Sequence, residues 1–233
     1  MLSAGEFLAH LASHVSLSLM LEPRVYNDLD TECLQPSEVA LDKYFPPRRN
    51  RPSHRPSHQA FFGRMGDDPE FEHSIPNAWM ASTPGHPFFL VHIEGVNQRV
   101  KKGKIKGLLP EAVTGPITLR DAIVDYEVGK VKHGNSISEK VEEVKKLGPF
   151  PEPDPRDHQV VLLPSEIVYP YSWGSDGKPV RNVCWVLKNS FNPEECKRQL
   201  EVGRKESISI TYWSHTHTRT GQNTKSMKHV DKV

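Results

Sequence analysis

VYNDLDTECLQP, residues 25–36, runs from an apolar pair into acidic residues, Val25-Tyr26 before Asn27-Asp28-Leu29-Asp30. That is how a strand ends at a polar site. In an extended segment side chains alternate with period two, so Asp28 and Asp30 share one side. Two convergent carboxylates at a strand end can hold a hard divalent cation, and such an ion can in turn grip a diphosphate. By spacing alone the same triplet also reads as a helix cap or a solvated turn.

Upstream, Leu8, Leu11, Val15 and Leu19 recur every three to four residues, which predicts one amphipathic helix over residues 1–22, ended by Pro23. Downstream, the tract PPRRNRPSHRPSHQ at 46–59 is too rich in proline, arginine and histidine to pack a core. It is expected to be an exposed loop, either a solvated insertion or a contact for an acidic ligand. Residues 60–93 are the least polar and most aromatic part of the chain. A short helix is expected at 119–126 and a charged one at 138–147, with a proline-rich break at 149–155. Residues 160–163, 167–169, 183–187 and 207–213 read as strands. The polar tail after His217 reads as disordered.

Composition bounds the reading. With 233 residues, 36% hydrophobic and 25% charged, the chain is long enough for a real core, and its 20 prolines imply short elements joined by long connections. A net charge of +1 offers no global attraction to nucleic acid, and none is expected as a partner. Three cysteines are too few for a disulfide scaffold. The residues leave two options open: a Cys184–Cys196 bridge in an oxidising lumen, or unpaired thiols. No stretch reaches the roughly 20 apolar residues of a membrane span, so the chain as written is expected to be soluble.

Other chemistry is sparsely signalled. His215 and His217 follow ISITYW at i, i+2 and could face one site, while His54 and His58 lie in surroundings that oppose a helix. Neither pair comes with the cysteines or HExxH of a zinc site. GxSxG, Walker and GxGxxG patterns are absent, and KKGKIKG at 101–107 lacks the glycine spacing of a dinucleotide loop.

VYNDLDTECLQP and FEHSIPNAWMASTPGHPFF at 71–89 closely resemble fungal members of glycosyltransferase family 32, the group with a DXD sugar-binding region. Further similarity lies in GRM at 63–65, VTGPITL at 113–119, LPSEIVYPYSW at 163–173 and ITYWSH at 210–215, in family order across about residues 25–215. The resemblance implies an α/β fold of the GT-A nucleotide-sugar transferase type. It also implies a GDP-mannose donor, manganese or magnesium as cofactor, and retention of anomeric configuration. The acceptor would be a sphingolipid such as inositol phosphorylceramide, or a glycan. The complete gene product would face the Golgi lumen, membrane-anchored.

Carried over residue by residue, Asp28 and Asp30 match the DXD, Asp30 as direct metal ligand and Asp28 as ligand and donor contact. His215 would complete the metal set, with Trp213 and Ser214 over the diphosphate. Asn77 is a candidate for the donor sugar or acceptor, or else a turn-stabilising asparagine. Trp79, Phe88 and Phe89 read as core, and His86 as structural. Residues 1–22 match nothing in the family, so the nucleotide-binding part that precedes the DXD elsewhere is expected to be truncated or replaced. Residues 23–215 would then be the C-terminal part of the transferase domain. The alternative is an inactive remnant or accessory subunit that binds a partner transferase.

Overall fold

A computed structural model describes residues 24–44, 58–68, 70–71, 73–103, 113–133 and 158–214, with side chains of the helix at 116–133 described up to Tyr126. The expected helices at 1–22 and 138–147, the proline-rich break and the polar tail lie outside the described residues. The protein is mixed α/β and divides into two compact units. The first takes the described residues through Tyr26, 58–62 and 73–162, and the second takes 27–44, 63–71 and 163–214.

The first unit is a sheet with helices. Strands β1 (Arg24–Asn27), β3 (His58–Gly63), β4 (Trp79–Ser82) and β5 (His158–Leu163) form a four-stranded sheet in the order β1-β4-β3-β5. β3 and β4 are antiparallel, with Ala60 opposite Ser82, Phe61 opposite Ala81 and Phe62 opposite Met80. Every residue of both strands is buried, which is why HQAFFG and WMAS do not alternate apolar with polar. Helix α2 (Phe88–Lys101) buries its first half and ends on Arg99 and Lys101, cations that suit a helix C-terminus. It packs on α3 (Pro116–His133). The Phe88 ring meets Phe62 at 5.1 Å and Tyr126 at 5.5 Å, both edge-on, in a core that also takes Phe89, Leu90 and Leu119.

His86 explains how α2 starts. It is fully buried, its Nδ1 accepts the Phe88 N–H at 3.2 Å, and its Nε2 then donates to the Gln159 carbonyl at 3.1 Å. One neutral tautomer satisfies both contacts and one of the orphan donors of the helix. The burial of Trp79, Phe88 and Phe89 accords with their reading as core.

The second unit is built around a two-stranded antiparallel ladder. β2 (Thr31–Cys33) pairs with β6 (Ser209–Thr211), placing Thr31 opposite Thr211 and Cys33 opposite Ser209. Around it lie α1 (Ser37–Tyr44), α4 (Ser165–Val168), a 3-10 turn at Lys178–Val180, α5 (Arg181–Cys184) and α6 (Pro193–Leu200). Asn192 caps α6 by accepting the Glu195 N–H at 3.0 Å, Pro193 opens it, and Glu201 ends it at φ 55°. A Cys184–Cys196 disulfide joins α5 to α6, which decides between the two options left by the sequence. Gly63 is required where the chain passes Val168 and Tyr169, since a Cβ there would lie 2.7 Å from each.

Several expectations are corrected. The helix expected at 119–126 runs from Pro116 to His133, because proline at the first helical position costs no hydrogen bond. Residues 167–169 do not form a strand: Ile167 and Val168 close a short helix begun by Ser165 and Glu166, and only Tyr169 makes a parallel bridge, to Met65. At 183–187 the chain is helical through Cys184, and Val186 alone reaches toward β6, its N–H 3.5 Å from the Tyr212 carbonyl. In both places local hydrogen bonding overrides β-branched propensity. The 46–59 loop reading fails at its end, where His58 and Gln59 are buried in β3. Their polar groups are satisfied by the next loop, His58 Nδ1 on the Pro84 carbonyl at 2.8 Å and the Gln59 N–H on Thr83 Oγ1 at 2.8 Å.

Candidate functional site

Asp28-Leu29-Asp30 is a turn between β1 and β2, not an extended segment. The Thr31 N–H reaches back to the Asp28 carbonyl at 3.2 Å, and Leu29 is fully exposed at the tip. Period-two alternation therefore does not aim the two carboxylates, and the turn itself does. Both aspartates are half-buried. The carboxylate of Asp30 is fixed from the far end of the chain, because Ser214 donates to Asp30 Oδ2 from its backbone N–H at 3.2 Å and from its hydroxyl at 2.9 Å.

The β2–β6 ladder makes that meeting obligatory. Thr31 opposite Thr211 leaves Asp30 one residue before the ladder and Ser214 three residues after it. Ser214 is buried, and the half-buried Trp213 turns the chain into place at φ 52°, a left-handed conformation that bulky residues rarely adopt. Trp213 is held there by its indole N–H on the Tyr171 carbonyl at 3.0 Å and by its ring 5.8 Å from that of Tyr169. Thr31 adds a buried hydroxyl without a partner among the described residues.

Behind the turn, Glu32 ties the ladder to α6. Its carboxylate accepts from the Tyr212 hydroxyl at 2.6 Å and pairs with Lys197 at 2.9 Å. Burial pushes the Tyr212 phenol far above its ordinary range and the Glu32 carboxylate adds to the rise. Burial works against the Lys197 charge, but its bonds to Glu194 and Glu32 outweigh that and raise its pKa. This network was not anticipated, although an acidic residue two after Asp30 is visible in the sequence.

The structure thus brings together Asp28, Asp30, Trp213 and Ser214. Asn77 belongs to the first unit, half-buried in the bend that leads into β4. His215, His217 and His54 lie outside the described residues, and His58 is in β3. For a metal, the donors present are two carboxylates a residue apart, hard oxygen ligands suited to magnesium or manganese rather than to a soft ion. Among the described residues no three His, Cys, Asp or Glu gather into a group that could hold an ion. No described helix is long and apolar enough to cross a membrane. No protein-family model matches the chain, and no curated protein and no solved structure does either.

Proposed function

We propose that the chain is a GT-A type glycosyltransferase, a retaining mannosyltransferase that uses GDP-mannose on a sphingolipid or glycan hydroxyl in the Golgi lumen. The observation that carries this reading is the contact of Ser214 with Asp30, 184 residues away in sequence. The two segments that the family resemblance assigns to one site, NDLD and YWSH, meet at one carboxylate. The Cys184–Cys196 disulfide adds support, because such bonds persist in the oxidising lumen of the secretory pathway and not in the cytosol.

Asp28 and Asp30 would hold a divalent cation, joined by His215 from the segment that follows Ser214. When bound, manganese or magnesium would offset the negative charge that collects on the departing diphosphate. The protein's own part is orientation. Ser214 fixes the rotamer of Asp30, and Trp213, at φ 52°, turns the chain so that Ser214 reaches it. With so few protein ligands the ion would bind weakly alone, and GDP would strengthen its binding by linkage.

Calorimetric titration of manganese with and without GDP, together with hydrolysis of GDP-mannose, tests the reading. Asp30→Asn removes the charge at nearly constant shape and is expected to abolish both signals. His217→Ala is expected to change neither. Hydrolysis and GDP-linked manganese binding that survive in Asp30→Asn would overturn the proposed site. A well-folded wild-type chain with neither signal would favour a non-catalytic subunit.

A further inference from the structure

In the first unit a groove of about 370 Å³ lies along the seam between α2 and α3, a volume within the range of small-molecule sites. Its walls are one stripe from each helix: Val91, Glu94 and Gly95 on α2, and Asp121, Ala122 and Asp125 on α3. Spacings of three and four put each set on one helix face. Gly95 keeps the groove open. Glycine in a helix interior weakens the helix, so its presence there needs a reason in backbone conformation or close packing. Neither reason applies: Gly95 has no positive φ, and a Cβ there would meet nothing within 4 Å outside its own stretch of helix. What the missing side chain supplies is the space itself.

The walls are negative. Glu94 is only 5% exposed, and its two oxygens accept from the neutral amides of Asn97, at 3.0 Å, and Gln98. Those bonds fill two of the roughly four acceptor positions of a carboxylate and leave its charge without a counterion among the described residues. Arg99 lines the same groove but is already engaged, donating to Asp121 at 2.9 Å and to Thr118 at 3.1 Å. Asp125, which is exposed, adds a second carboxylate with no cation beside it among the described residues. The complement of such a groove is positive charge. A single metal ion does not fit, because among the described residues no three His, Cys, Asp or Glu gather into a group that could hold one. Glu94 and Asp125 stand on opposite walls, with Val91 and Ala122 giving apolar surface in the same groove. That arrangement suits cationic ends separated by an aliphatic stem.

We propose that the α2–α3 groove binds an aliphatic diamine, with Glu94 holding one ammonium group and Asp125 the other. The two ends contribute unequally. A buried carboxylate facing an ammonium makes a strong, charge-assisted hydrogen bond, whereas solvent screens the pairing at the exposed Asp125. The stem lies against Val91 and Ala122 in the space that Gly95 leaves. The groove belongs to the first unit, and the inference stands whether or not the transferase reading does.

The test is calorimetric titration of the full chain with putrescine and with butylamine, in EDTA and about 0.15 M salt, where exposed charges are largely screened. Putrescine is expected to bind one-to-one and several-fold more tightly than butylamine, which has a single ammonium. Glu94→Gln is expected to weaken putrescine binding about tenfold or more, and Asp125→Asn by several-fold. Gly95→Leu fills the groove and should abolish binding while the melting temperature holds or rises, because leucine is the better helix former. That variant keeps the test decisive if Glu94→Gln fails to fold. Putrescine that does not bind, that butylamine matches, or that binds Gly95→Leu as well as wild type would overturn the proposal.

Discussion

In the first unit ring contacts of 5.1 to 6.1 Å link Phe62 with Phe88 and Phe89, these two with each other, and Phe88 with Tyr126, and every residue of β3 and β4 is buried. The second unit has a smaller buried cluster that includes Tyr171, Val186, Leu200, Ile210 and Tyr212, and adds to it a disulfide, a carboxylate shared by Tyr212 and Lys197, and a serine that grips an aspartate. A unit with enough large apolar side chains can rely on burial, which contributes about 1.5–3 kcal/mol for each fully buried Phe or Leu. One whose strands are three residues long needs directional cross-links, and such links also hold polar groups in fixed positions where chemistry can use them. The candidate site lies in the second kind of unit.

The largest expected effect breaks the first unit. Phe62→Ala removes a fully buried ring that touches Phe88 and Phe89, at a cost of about 3–5 kcal/mol. Hydrogen exchange should show β4 and α2 losing protection while the β2–β6 ladder keeps most of its own. Equal loss in both would mean that the two units unfold as one.

The second unit is broken covalently. The disulfide closes a sequence separation of 12, for which chain entropy gives about 3 kcal/mol. Cys184→Ala with Cys196→Ala should lower the melting temperature of this unit and loosen α6, and a reducing agent should do the same to wild type. Both treatments should leave exchange in β3 and β4 unchanged. An undiminished melting temperature would show that the Glu32 network alone suffices.

How much of this was legible differs between the units for the same reason. The aromatic run at 60–93 announces a core directly, because burial is written in residue type. The second unit is written in pairings between distant residues, so 167–169 and 183–187 were read as strands from β-branched content when hydrogen bonds begun at Ser165 and Arg181 make them helical. The DLD triplet was visible, but its geometry was not. Spacing alone could not tell an extended segment from a turn, and what orients Asp30 is a serine 184 residues away. For Asn77, the sequence could not show that it belongs to the other unit.

The smallest effect concerns pH and returns to the first unit, where His92 is buried against Phe88 with its ring stacked at 6.1 Å and its Nε2 without a partner among the described residues. Burial, reinforced by the Arg99 charge, depresses its pKa from 6.5 to about 4. A base with a depressed pKa stays neutral in the folded state while the unfolded chain takes up a proton below pH 6.5. Its contribution is therefore intact above that value and is lost as the pH falls from about 6.5 toward about 4. Between pH 8 and pH 5 that loss amounts to about 2 kcal/mol. Phenylalanine in its place has no proton to gain and fits an aromatic neighbourhood, so His92→Phe should lose about 2 kcal/mol less than wild type across that range. Other histidines titrate in both proteins and cancel in the difference. Denaturant unfolding of the two at pH 8 and pH 5 measures it. Parallel pH dependences would mean that His92 finds a way to be protonated in the folded state, and that the aromatic core of the first unit is less closed to water than its burial indicates.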